Sequence, residues 1–184
     1  DRSELANRLT RRVLPFHVSV YDDPTQEKFG EKALLGSYKV DDQGVAARKI
    51  SLVEQGVLKN LLLSRRPRKN MLKSNGHGRS GLNGGASTDI GNLFIQSSDG
   101  KSYEQLKQEL IKMCKALEMP YGIIIKGGGL SDPSLTYKVY VEDGREELIR
   151  GAGIGELTVK QLKAQSIAVG NDSHILNRAG NAYG

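Results

Sequence analysis

"LLGSYKVDDQGVAARKISLVEQGVLKNLLLS", residues 34–64, decides the fold class. The turn signals "DDQG" at 41–44 and "EQG" at 54–56 divide it into three strand-sized runs. Glycine-bearing turns at that spacing return the chain beside itself, so the stretch predicts an antiparallel meander. The pattern continues on both sides. "HVSVY" at 17–21 alternates as a strand until "DDPT" breaks it, and "NLFIQS" at 92–97 resumes one. "YGIIIK" at 121–126 reads as a buried strand. In "LTYKVYVEDGREELIRG", residues 135–151, Leu135, Tyr137, Val139 and Val141 alternate and "EDG" turns, which predicts a hairpin. "SIAVGND" at 166–172 closes with another strand.

The clearest helix signal is "SYEQLKQELIKMCKALEM". Ser102 and Gln105 stand at capping-box spacing, which satisfies free amide donors at a helix start. Tyr103, Leu106, Leu110, Cys114 and Leu117 fall on one face. Cys114 lies inside that stripe and reads as a buried structural thiol rather than a reactive one. Two short flanking helices are expected. One lies over residues 1–14, where Leu5, Leu9 and Val13 have helical spacing. The other lies in "LTVKQLKAQ", where Thr158 and Gln161 repeat the capping box. The expected class is α+β: a predominantly antiparallel sheet domain with one long amphipathic helix over about 102–118.

Composition excludes several functions. The chain has 184 residues, enough for one domain with a real core, and 1–184 is expected to form a single domain. Charged residues at 26% and hydrophobic residues at 38% fit a globular protein rather than a disordered one. No apolar run approaches the roughly 18 residues of a membrane-spanning helix. A single cysteine rules out an internal disulfide framework and any CxxC metal signature. The chain starts at Asp1 with no charged-then-apolar leader and reads as a piece of a longer polypeptide, with the cytoplasm as its expected compartment. The net charge of +6 raises a nucleic-acid reading through Arg65, Arg66, Arg68, Lys69, Lys73 and Arg79. Against it, aromatic content is 5% with no Trp, which leaves little to stack on bases.

Residues 65–91 show no sustained period and read as a long loop, a length that tends to be functional or disordered. Within it, "LKSNGHGRSG" at 72–81 sets His77 among glycines beside Asn75 and Arg79. Phosphate cradle, nucleic-acid arm, catalytic loop and plain turn all fit those residues. "KGGGL" lacks the frame of a phosphate-binding loop, and "GAGIG" follows a hairpin return rather than opening a βαβ unit. Both read as tight turns. His17, His77 and His174 form no short ligand pair, and no serine has a nucleophile-elbow frame. The residues alone therefore predict an α+β domain with a basic loop and name no chemistry.

Taken in order, "VSVYDDPT", the 34–64 stretch, "SNGHGR", "YVEDGREELIRGAGIGELTVKQL" and "SIAVGND" resemble the C-terminal region of the TldD/PmbA family. These proteins were once called modulators of DNA gyrase and are now regarded as metallopeptidases. The resemblance implies a two-part, dimer-forming parent. An N-terminal part carries an HExxxH helix with two zinc ligands and a glutamate base, and a β-rich C-terminal part completes the cleft. This chain matches only the second part, so no metal site is expected in it alone, while zinc is expected in a full-length parent that has HExxxH. In zinc-bearing members a cysteine soon after "GND" resembles a third ligand. Here "GNDSHILNRAGNAYG" has none; Tyr183 stands near that place, and His174 reads either as a plain loop histidine or as a substitute nitrogen ligand. Members without zinc ligands act as partner subunits, so a non-catalytic peptide-binding or dimerisation role stays open beside the peptidase one. "SNGHGR" then resembles a glycine-rich loop near the cleft, and Asn75, His77, Arg79 and Asp172 are the expected substrate-binding residues. A peptide held without sequence preference is expected to add to a sheet edge.

Overall fold

The structure, a computed structural model, describes residue 5, residues 7–66, 73–81, 85–126 and 135–150, and residues 158, 160, 168–173 and 175. In chain order its strands are β1 (Val18–Asp22), β2 (Lys28–Phe29), β3 (Lys32–Ala33), β4 (Ile50–Glu54), β5 (Val57–Leu58), β6 (Gly78–Ser80), β7 (Ala86–Thr88), β8 (Leu93–Ser97) and β9 (Gly100–Lys101). The helix α1 (Tyr103–Ala116) follows, then β10 (Tyr121–Lys126), β11 (Leu135–Tyr140), β12 (Glu146–Ile149) and β13 (Val169–Gly170). Pairing is antiparallel throughout except for β13 on β9. The class is α+β, as the turn pattern predicts.

The first sheet has the order β5-β4-β1-β8. Alternation in β1 turns Val18, Val20 and Asp22 inward. Val20 sits opposite Val53 on one side and Ile95 on the other. Val13, Val18, Val20, Val53 and Leu58 form the buried cluster, with Leu5, Leu9 and Val169 packed against it. The helix expected over residues 1–14 is not formed by the described residues there. Thr10 has a positive φ of 64° and donates its amide to Leu58, while Val13 and Leu14 donate theirs to Gly56. Amides bonded to the β4–β5 hairpin cannot serve a helical ladder. The apolar spacing is real, but it buries on the sheet from an irregular segment.

The second sheet, β10-β11-β12, carries α1 on one face. Ser102 and Gln105 form both bonds of the capping box. Leu110 lies over Gly122, where a Cβ would stand 2.7 Å from its Cγ, so glycine lets helix and strand approach closely. Ile111 and Cys114 are buried, as is Val139 beneath. Leu117, expected on the buried stripe, is 64% exposed because the helix has ended. "YGIIIK" is not buried on both faces, since Ile123 faces away from the helix and is exposed. The long loop expected at 65–91 contains the β6–β7 hairpin. The second flanking helix lies, apart from Thr158 and Lys160, outside the described residues, as do "GGGLSDPS" and "GAGIG".

Glu146 ties α1 to this sheet. It accepts hydrogen bonds from Lys126 at 2.7 Å and from Lys107 and Tyr103 at 2.9 Å each. These bonds, Lys126 first, hold its carboxyl at about 2, well below the usual range. A carboxyl depressed on folding stabilises the native state above its unfolded value and loses that contribution as pH falls through the folded one. Acid unfolding should therefore include a component between pH 4.5 and about 2 that Glu146→Gln removes. Chemical denaturation at pH 7 and pH 3 checks it, and parallel losses in both proteins would refute the assignment.

Candidate functional site

The "SNGHGR" segment crosses the end of β1. His77 and Asp22 are both fully buried, with Nε2 of the ring 3.1 Å from Asp22 Oδ1. Both Asp22 oxygens also accept from the Gly91 amide, each at 3.1 Å. The other ring nitrogen, Nδ1, faces the Asn75 backbone oxygen at 3.1 Å and its side-chain oxygen at 3.2 Å. Asn75 is fully engaged: its side-chain oxygen accepts from Leu63 N at 2.7 Å and its Nδ2 donates to Leu61 O at 2.8 Å.

The "VDDQG" turn grips the same segment from the other side. Asp41 accepts from the amides of Gln43, Val45 and Gly78, which folds the turn and holds β6 with one carboxylate. Asp42 accepts from Ser80 N at 2.7 Å and from Arg79 at 3.2 Å. The Arg79 guanidinium also lies 4.5 Å over the Tyr38 ring. The Tyr38 hydroxyl donates to Gly76 O at 2.9 Å. Its phenol is pushed up to about 12, by burial first and then by Asp22, against the opposing pull of Arg79. Gly76 has φ +81°, and a Cβ there would overlap the Ala46 carbonyl oxygen, so only glycine fits.

Of the four expected binding residues, Asn75, His77 and Arg79 come together and Asp172 lies apart, exposed beside β13. His77 is not the exposed loop side chain its glycine-rich surroundings predict. It is a buried tie between loop and sheet. Asp22, Tyr38, Asp41 and Asp42 complete the cluster and were read only as turn and strand residues. Nothing in their spacing marks them, because the partners are 37 to 55 residues away. The basic residues are partly committed too: Arg65 donates to Gln43 O and Arg48 to Ser74 O and Asn75 O. Arg68, Lys69, His174 and Tyr183 lie outside the described residues.

The described residues do not fit a zinc site. No three His, Cys, Asp or Glu side chains among them converge on one point. Cys114 is buried in α1, and both ring nitrogens of His77 already have partners.

The first sheet offers a different surface. Among the described residues β8 is an edge, with β1 as its only neighbour. Asp23 N bonds to Asn92 O and Ser98 N to His17 O, which fixes the parity of the ladder. By that parity the amides and carbonyls of Leu93, Ile95 and Ser97 point away from β1. Leu93 and Ile95 also expose their side chains, Ile95 by 65%. The Gly91–Asp22 bond places the start of this edge beside the His77 tie.

A family profile described as the PmbA/TldA metallopeptidase C-terminal domain matches residues 1–181. A metalloprotease of Methanocaldococcus jannaschii is 32% identical over 159 residues, which cover 84% of this chain and 34% of the relative. A metalloprotease of Archaeoglobus fulgidus is 30% identical over 135 residues, 72% of this chain and 28% of the relative. The chain thus spans about a third of the length of the curated relatives it matches. Among solved structures, a Thermotoga maritima protein described as a candidate modulator of a DNA gyrase aligns with TM-score 0.64 and 26% identity. That alignment covers 92% of this chain and 38% of the other. TldE of Thermococcus kodakarensis shares the fold at TM-score 0.52 and 22% identity, over 78% of this chain and 32% of the other.

Proposed function

Because the chain belongs to the PmbA/TldA metallopeptidase C-terminal domain family, we propose that it forms the substrate-side wall of a peptide-hydrolysing zinc enzyme. The zinc and its activating residues belong to the remainder of the parent, and the parent works as a dimer of TldD/PmbA-type subunits. The match across nearly the whole chain carries this reading. Peptide adds as an extended strand to the outer edge of β8, where outward amides and carbonyls bind any sequence through its main chain. Asn75 and His77 do not touch substrate in this arrangement. They brace the loop behind the start of the edge, while Arg79 and Asp172 remain partly or wholly exposed for contact with a passing peptide.

Ile95→Pro tests the edge. The substitution removes an N–H directed away from β1, so the β1 ladder keeps its bonds and proline is tolerated there. In the full-length parent it should lower peptide binding about tenfold or more, the loss of one or two main-chain bonds, with folding preserved. Unchanged binding in a folded variant would remove β8 from the reading.

The second reading is a non-catalytic partner subunit. Residues 173–184, which follow "GND", contain no cysteine. An HExxxH segment upstream, with zinc in the purified parent and hydrolysis that stops on chelation, supports the enzyme. A parent that holds no zinc yet stimulates a zinc-bearing subunit supports the partner.

A further inference from the structure

We infer that the β8 edge grades peptides by side chain, favouring apolar residues at two positions two apart and accepting any residue between them. This grading rests on the reading of β8 as the peptide-bearing edge, and it names the class of peptide held best. Its basis is the face on which Leu93 and Ile95 lie. Leu93 stands opposite Asp22, Ile95 opposite Val20 and Ser97 opposite Val18. Directly opposed residues of neighbouring strands share a face, so all three lie on the side of the sheet where β1 is buried. Their partners on β1 are at most 8% exposed, whereas Leu93 is 43% and Ile95 65% exposed. Among the described residues, the apolar layer thus runs one row past its cover.

A strand that stays an edge in water is usually blunted by charge, proline or shortness. The other edges of the two larger sheets follow that rule among the described residues. β5 is two residues long and bridged by Arg12, β12 carries Glu146 and Glu147, and β10 ends in Lys126. Residues 90–97, "IGNLFIQS", hold no charge and no proline. An uncharged, apolar side chain therefore matches this row. An acidic or basic one set against Ile95 loses hydration and gains no counter-ion from β8.

Hydrogen-bond parity sets the spacing. The outward amides and carbonyls of Leu93 and Ile95 bond the peptide residues directly opposite them in an antiparallel addition. Those two peptide residues are two positions apart, and their side chains fall beside Leu93 and Ile95. The residue between them turns to the other face, beside Phe94. That ring is already stacked on Tyr21 at 4.7 Å and tilted against Phe29 at 6.2 Å, so little of its surface is left to select a neighbour. Ser97 ends the apolar row, and its hydroxyl accepts from Asp99 N at 3.2 Å.

Two uncharged peptides with blocked ends and one composition test this on the full-length parent. One has leucines two positions apart, the other has them adjacent, and serine fills the remaining places. Only the first can set both leucines against Leu93 and Ile95. It should bind about two- to fivefold more tightly, the worth of one further cross-strand pair. Ile95→Thr keeps a β-branched strand residue and the outward N–H but removes apolar surface, so the ratio of the two affinities should fall towards one. Equal affinities in the wild type, or an unchanged ratio in Ile95→Thr, overturn the grading. If the wild-type affinities are equal but Ile95→Pro weakens both, the edge stands and only the grading falls. If neither peptide binds, because the parent or a second copy fills the edge, the grading and the reading beneath it fall together.

Discussion

Asp22→Ala should lose about 2–5 kcal/mol of stability at pH 7, because the buried groups that bond its carboxylate are left without a partner, at about 1–3 kcal/mol each. The carboxylate at this position serves three contacts, two to the Gly91 amide and one to His77, and no water reaches it. Alanine leaves a buried ring nitrogen and a buried N–H unmatched at once, and each unmatched group adds its own penalty. Asp22→Asn should lose less, since the amide can accept from Gly91 and donate to the ring. Urea denaturation of both variants reads the difference as a shift in midpoint at constant slope. A loss below about 1 kcal/mol in Asp22→Ala would mean that the cluster is not a structural tie.

Gly56→Ala should lose about 2–5 kcal/mol, and Gly44→Ala much less, although both glycines have φ +77°. Adopting the left-handed conformation costs a residue with a side chain roughly 1–2 kcal/mol wherever it occurs. At Gly44 a Cβ meets nothing within 4 Å, so that is the whole effect. At Gly56 the Cβ would overlap the Leu14 carbonyl oxygen and stand 2.6 Å from that of Pro15. Overpacking of this kind adds about 1–3 kcal/mol, and backbone atoms cannot rotate aside as a side chain can. Gly56 also donates to Val18 O and accepts from Val13 and Leu14, so any shift strains three more bonds. Equal losses in the two variants would show that the 12–15 segment yields freely.

The contrast between these two glycines shows how far the sequence could be read. "EQG" and "DDQG" mark turns because glycine's permissiveness is a local property, and the hairpin between β4 and β5 follows from it. "DDQG" makes the single Val40–Ala46 bridge: Asp41 donates its amide to Val45 O within the turn, while the Asp42 amide and both carboxylates reach β6. Capping in α1 was equally legible, since Ser102 and Gln105 lie three residues apart. The cluster at His77 was not. Glycines around a histidine predict exposure, and burial came from a carboxylate 55 positions earlier whose only local signature was a strand end. The same limit applies to residues 1–14, where helical spacing was present but the amide partners lay on β5 and its turn.

Val169 packs against the cluster of Val13, Val18, Val20, Val53 and Leu58, and β13 lies on β9. A core that joins Val13 to Val169 has consequences for how the protein is made. At roughly 5–20 residues per second, a ribosome takes on the order of 10–30 s to travel from the first of these residues to the last. During that interval the valines of β1 and β4 are already outside the tunnel and lack part of their cover. The nascent protein is therefore most open to chaperones and to misassociation through the first sheet, whose buried cluster gains the cover of Val169 only late.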